Sequence, residues 1–196
     1  MVNDKNTVAM GSFIASESVF FVLLILAYVD LHGQVPPGGP TAASALNVPV
    51  TGFYTACLLS SSFTLWRAER SLRREQEEMQ RVAAPTRVVT SLWLGLTVLL
   101  GAIFLVGQAH EYRHLFESGI TVGRNLFSTS FFTLTGFHGL HVFIGLIMLL
   151  MMAVLHAGGE FRRLPVSVLE AIGLYWHFVD IVWIFIFSIV YLRVLG

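Results

Sequence analysis

Five long apolar runs separated by short polar stretches set the pattern of this chain. They fall near residues 10–30, 46–66, 88–108, 127–155 and 171–195. Each is long enough to cross a hydrocarbon core, which takes about 20 helical residues. The fourth is long for a core of about 30 Å at 1.5 Å per residue, so a tilt or a protruding end is expected. Between the first two runs, "HGQVPPGGPTAAS" (His32 to Ser44) carries three prolines and three glycines and breaks any helix. After the second, "RAERSLRREQEEMQRV" (Arg67 to Val82) reads as a charged helical continuation. Its pairs Arg73–Glu77, Arg74–Glu78 and Glu77–Arg81 stand at i,i+4, and Pro85 marks a stop. This continuation is expected to present a solvated charged face, with a dedicated anionic-lipid site as the alternative. No internal repeat and no soluble domain boundary interrupts the pattern. The prediction is one membrane domain over 1–196, an all-α integral membrane bundle of five transmembrane helices.

Composition agrees. The chain is 55% hydrophobic and 12% charged, with mean hydropathy +0.72; soluble domains carry about 25% charged residues. Net charge is zero and no acidic or basic tail is present, so nothing points to nucleic acid. The single cysteine, Cys57, has no partner for an intrachain disulfide. The first run continues to Tyr28 without a small-residue cleavage site, so no cleavable signal peptide is expected. No Arg/Ser-rich transit segment is seen either.

The basic residues predict an orientation. With five spans, Lys5, Arg67, Arg70, Arg73, Arg74, Arg81, Arg87, Arg162 and Arg163 share one side, nine of the 12 Lys and Arg. Arg113, Arg124 and Arg193 share the other. The positive-inside rule then places the N-terminus in the cytoplasm and the C-terminus outside, with Trp66 and Trp93 in an interfacial belt at the inner ends of the second and third spans.

Ionisable groups at membrane depth cost roughly 2.5–3.5 kcal/mol each and need partners or a wet cavity. Glu17, His138, His141, His177 and Asp180 are such groups. Residues three apart share a helix face, so His138 with His141, and His177 with Asp180, make two polar faces expected to be adjacent. A bis-histidine haem site would draw on His141 and His177. A di-iron bundle wants several inward carboxylates and Glu-x-x-His motifs, and the spans offer only Glu17 and Asp180. The two-copper centre of an oxidase needs a cysteine pair, and a zinc-hydrolase centre, which wants His-Glu-x-x-His, is not expected. Interhelical hydrogen bonding is therefore the first reading of the histidines, with a ligand or proton-relay role left open. Gly136, Gly139 and Gly145 favour it by allowing close approach. Glu17 is expected to meet an imidazole of a neighbouring helix, His138 or His177. At the outer end of the third span, "GQAHEYRHL" gathers Gln108, His110, Glu111, Arg113 and His114, read as an interfacial polar cap with a charged contact to a partner as the alternative.

Four stretches then fall together: "SESVFF", "LGAIFLVGQAHEY", "FFTLTGFHGLHVFIGL" and "YWHFVDIVWIFIFSIVYL". In this order and spacing they resemble subunit III of the haem–copper oxidases, the cytochrome c and quinol oxidases, over about residues 10–195. The family folds as a membrane helix bundle with seven helices, or with five in a bacterial form lacking the first two, and this chain is similar to the five-helix form. The resemblance implies a non-catalytic accessory subunit of a proton-pumping terminal oxidase in aerobic respiration, in the bacterial cytoplasmic membrane. It implies no catalytic, cofactor or metal residue in this chain. Haem and copper belong to partner subunits I and II, and a larger respiratory supercomplex is compatible. The accessory subunit packs on the catalytic one, holds phospholipid, supports proton uptake and protects the oxygen-reducing centre. The family's membrane-buried, carbodiimide-reactive glutamate falls on Glu17. His138, His141, Trp176, His177, Asp180 and Trp183 are implied as structural positions, and His110 and Glu111 join them as polar-network or lipid-contact residues. The rival readings are an accessory subunit of a nitric oxide reductase, a small membrane cytochrome using His141 and His177, and a small transporter using Glu17 and Asp180.

Overall fold

The computed structural model describes residues 5–32, 46–80, 87–123, 126–158 and 166–191. The breaker segment after His32, the stop at Pro85, and Arg81, Arg124, Arg162, Arg163 and Arg193 lie outside the described residues. Among the described residues five helices follow one another: α1 (Lys5–His32), α2 (Val48–Gln80), α3 (Arg87–Glu117), α4 (Leu126–Ala157) and α5 (Val166–Val190). All five are long and apolar enough to cross a membrane. A helix suits such runs because it closes its backbone hydrogen bonds within one segment, where lipid supplies no partners.

α1, α3 and α5 run beyond their expected bounds, α1 starting at Lys5 rather than 10, and α2 carries on into the expected charged continuation. Asn47 caps α2: the amide of Val50 donates to its Oδ1 at 3.4 Å. From there α2 continues unbroken through the charged stretch for 33 residues, about 50 Å of rise. The cause is a buried stripe, Leu65, Ala68, Leu72 and Glu75, spaced three and four apart, which keeps packing after the exposed face has turned polar. The expected i,i+4 ion pairs do not close among the described residues. Arg73 instead bridges to Glu170 of α5 at 2.8 Å. α3 continues past Gln108 to Glu117, then stops on Gly119 in the left-handed region (φ 74°). The amides of Gly119 and Ile120 donate back to Phe116 and Leu115 at 3.0 and 2.9 Å, and buried Ile120 and Leu115 complete the cap. α5 starts at Val166 rather than 171.

Half of the apolar window of α5 is buried in the bundle against 11% for α1, so α5 is the axis and α1 the rim. α5 packs on α1, α2 and α4, and α3 lies between α2 and α4. Trp176 of α5 joins the set. Its indole N–H donates to Ser61 of α2 at 2.9 Å. Its ring fills the space that a Cβ at Gly101 of α3 or Gly145 of α4 would occupy, 2.9 and 2.8 Å from those positions. The small residues thus admit a large side chain, and the close approach is ring to backbone.

Candidate functional site

Glu17 lies on the inner side of α1, and across from it α4 supplies His141. Glu17 Oε2 stands 3.2 Å from His141 Nε2, with side chains 22% and 11% exposed. The other ring nitrogen, Nδ1, lies 2.8 Å from the carbonyl of Phe137. A carbonyl only accepts, so Nδ1 carries a proton. Nε2 then either accepts from a carboxylic acid or, as imidazolium, donates to a carboxylate. In both forms one further proton is shared between Glu17 and His141. Tyr175 of α5 fixes the α4 backbone there by donating to the His141 carbonyl at 3.1 Å, and Phe21 lies edge-on to the imidazole at 5.0 Å. His141 also lines a cavity of about 570 Å³ whose other walls include Met10, Phe13, Ile144, Ile172 and Tyr175. The pair is a proton-holding couple at the edge of an apolar cleft.

The expected partner of Glu17 was His138 or His177, and neither takes that place. His138, one turn from His141, is fully buried, and neither of its ring nitrogens has a hydrogen-bond partner. It stacks on Trp183 at 4.7 Å and meets the ring of Phe104 edge-on at 6.0 Å. For this residue the expectation of interhelical hydrogen bonding is corrected to aromatic packing. His177 and Asp180 face α2 instead: His177 Nδ1 is 2.7 Å from the Ser62 hydroxyl, which donates to Asp180. Trp183 donates to Thr55 of α2 at 2.9 Å. The two polar faces expected to adjoin thus serve different helix pairs. His141 and His177 do not converge on one point, so they do not fit a bis-histidine haem. Among the described residues no three His, Cys, Asp or Glu side chains gather as a metal site.

At the outer end of α3 the polar cap divides. His110, Arg113, His114 and Glu117 line an exposed groove of about 250 Å³, with Arg113 paired to Glu117 at 2.9 Å. Glu111 turns inward and accepts from Thr51 and Tyr191, each at 3.0 Å, while Gln108 donates to the Thr135 carbonyl at 2.8 Å. "HEYRH" has the His-Glu-x-x-His spacing of zinc hydrolases, a match the sequence expectation left out. The inward turn of Glu111 takes the motif's general base away from the face that carries both imidazoles.

A family model described as "Cytochrome c oxidase subunit III" matches residues 1–194. The chain belongs to the cytochrome c oxidase subunit III family. Among its relatives, cytochrome c oxidase subunit 3 of Synechocystis is 39% identical over 184 residues, covering 92% of this chain and 72% of that one. The Corynebacterium diphtheriae subunit 3 is 35% identical over 202 residues, 97% of this chain and 90% of that one. The protein of the same name from a Bacillus is 34% identical over 181 residues, 92% and 82% respectively. Family membership makes this an accessory subunit of a haem–copper oxidase and a multi-pass membrane protein.

Sequence reasoning missed a second carboxyl–imidazole pair. Glu75 and His156, 7% and 3% exposed, meet at 3.1 Å. Glu75 also accepts from Thr90, which bonds Ser71 at 2.8 Å, and His156 Nδ1 lies 2.8 Å from the Ser91 hydroxyl. The signal was present: Glu75 continues the spacing of Leu65, Ala68 and Leu72. The hydroxyls of α2 that meet α5, Thr55, Ser61 and Ser62, were missed as well, although Thr55 and Ser62 stand seven residues apart on one helix face.

Proposed function

We propose that this chain is the accessory subunit III of a proton-pumping oxidase, seated on subunit I beside subunit II, with haem and copper held by those partners. The observation that carries the reading is the internal pairing of its polar groups. Glu17 is met by His141, Asp180 and His177 by Ser62, Glu111 by Thr51 and Tyr191, and Glu75 by His156. Such a bundle is a scaffold in which each of these four carboxyls finds a partner on a neighbouring helix. The cleft lined by His141 suits a phospholipid acyl chain, with the Glu17–His141 couple behind its wall able to hold a proton. The nine-to-three split of basic residues supports an N-terminus in the cytoplasm and a C-terminus outside, in the bacterial cytoplasmic membrane. A carrier reading gains no support, because Glu17 and Asp180 sit on separate helix pairs.

Purification in mild detergent tests this. The chain should co-purify with a haem-bearing subunit, and elemental analysis of the separated chain should find no stoichiometric iron or copper. Recovery of the chain alone, or a Soret band in it, would overturn the reading. Reporter fusions after Arg81 and after Gly196 should mark opposite sides of the membrane.

A further inference from the structure

We propose that the exposed arginine stripe of α2 seats the phosphate headgroups of anionic phospholipids. Arg67, Arg70 and Arg74 are exposed and stand three and four residues apart, so they share one face along about 10 Å of helix. Phe63, one turn earlier on the same face, is 57% exposed. Trp66, 40% exposed, packs against Phe63 at 5.8 Å. Read along α2, the surface passes from a bare phenyl through an indole to three guanidiniums within three turns. That is the polarity profile of the boundary between acyl chains and headgroups.

Two contacts hold the guanidiniums at that depth. Arg70 lies over the Trp66 ring at 4.3 Å, and Arg67 reaches across to Trp93 of α3 at 5.2 Å. Arg73, one step around the helix, is already spent on Glu170. Arg67, Arg70 and Arg74 enter no ion pair among the described residues, and Glu69, the carboxyl nearest in sequence, packs against Gly173 of α5. Glu77 and Glu78 lie further out, past the arginines. Three uncompensated guanidiniums fixed over belt indoles call for an anion at the bilayer surface. An acidic protein segment would satisfy the charges but would leave Phe63 and Trp66 unexplained. A phosphodiester with acyl chains satisfies all five residues. The inference does not depend on the accessory reading.

The test uses the full chain in phosphatidylcholine vesicles containing a minor fraction of phosphatidylglycerol brominated on its acyl chains. Trp176 and Trp183 are buried, so quenching reports on Trp66 and Trp93. Brominated phosphatidylglycerol should quench with about fivefold higher apparent affinity than brominated phosphatidylcholine at the same fraction, the attraction of about one arginine near a charged surface. Parity is expected in R67Q/R70Q/R74Q, retention in R67K/R70K/R74K, and no change in R73Q. Equal quenching by both lipids in the parent, or a preference that survives the triple glutamine variant, would refute the site. Abolition by inorganic phosphate at constant ionic strength would reassign it to soluble anions and overturn the lipid. Loss of the preference once the chain is assembled with its partner subunits would give the stripe to an acidic partner segment and overturn it equally.

Discussion

Two carboxyl–imidazole pairs draw their histidine from the same helix, His141 and His156 of α4, at nearly equal separations of 3.2 and 3.1 Å. Their surroundings make them different devices. In the first, Nδ1 faces a backbone carbonyl, which fixes a proton there and forces another between the ring and Glu17. In the second, Nδ1 faces the Ser91 hydroxyl, which can donate or accept. His156 is therefore free to be neutral, donating from Nε2 to an ionised Glu75 that also accepts from Thr90. One pair borders an apolar cavity, and the other is sealed among α2, α3 and α4. The atom opposite Nδ1 sets the proton content, and the packing sets who can reach it. The first is built to hold and expose a proton, the second to hold helices together.

Stability should separate them most. Glu75→Ala leaves the sealed His156 N–H and the Thr90 hydroxyl without their acceptor and should cost about 3 kcal/mol, read as a lowered unfolding midpoint in detergent. Glu17→Ala should cost nearer 1 kcal/mol, since His141 can give up the shared proton and keep its Nδ1 bond to the Phe137 carbonyl; equal losses would erase the distinction. Glu17→Gln is gentler still, because the amide can serve His141 from either its N–H or its carbonyl. Initial oxygen consumption of the assembled oxidase carrying it should stay within a few-fold of the parent, with any effect appearing in lifetime under turnover. Immediate loss at normal haem content would instead place Glu17 in the reaction's proton supply and defeat the accessory reading. A hydrophobic carbodiimide, which attacks protonated carboxyls, should label Glu17 and spare Glu75, as peptide mass spectrometry would show. The finest test moves no free energy at all: the ¹⁵N shifts of His141 should report a protonated Nδ1, and a bare Nδ1 would contradict the shared-proton assignment.

The bundle was legible because lipid leaves the chain few options. Apolar runs of helical length, breakers and basic ends mark five spans whatever their packing. The candidate site was legible only by residue type. Glu17 and the two histidines of "GFHGLHV" announce themselves as polar groups in lipid, yet which imidazole meets Glu17 depends on the rotation of α4 against α1. His138 and His141 are 60° apart around the helix, enough to send one to a carboxyl and the other onto Trp183. Glu75 was hidden for the opposite reason. It stands among Arg73, Arg74, Glu77 and Glu78, so its type suggested water, and only its register with Leu65, Ala68 and Leu72 revealed burial.

Trp176 also bears on how this sequence can change over time. Its indole occupies the room that Gly101 and Gly145 leave vacant on two other helices, so the three positions share one volume. A methyl gained at either glycine would collide with a ring that three helices hold in place, and a smaller residue at 176 alone would open a void in the axis of the bundle. Neither single exchange is tolerated cheaply, while a paired exchange that moves bulk from 176 to 101 or 145 conserves the total. Gly101, Gly145 and Trp176 should therefore be inherited as a linked set, and where one has changed in a descendant, another should have changed with it.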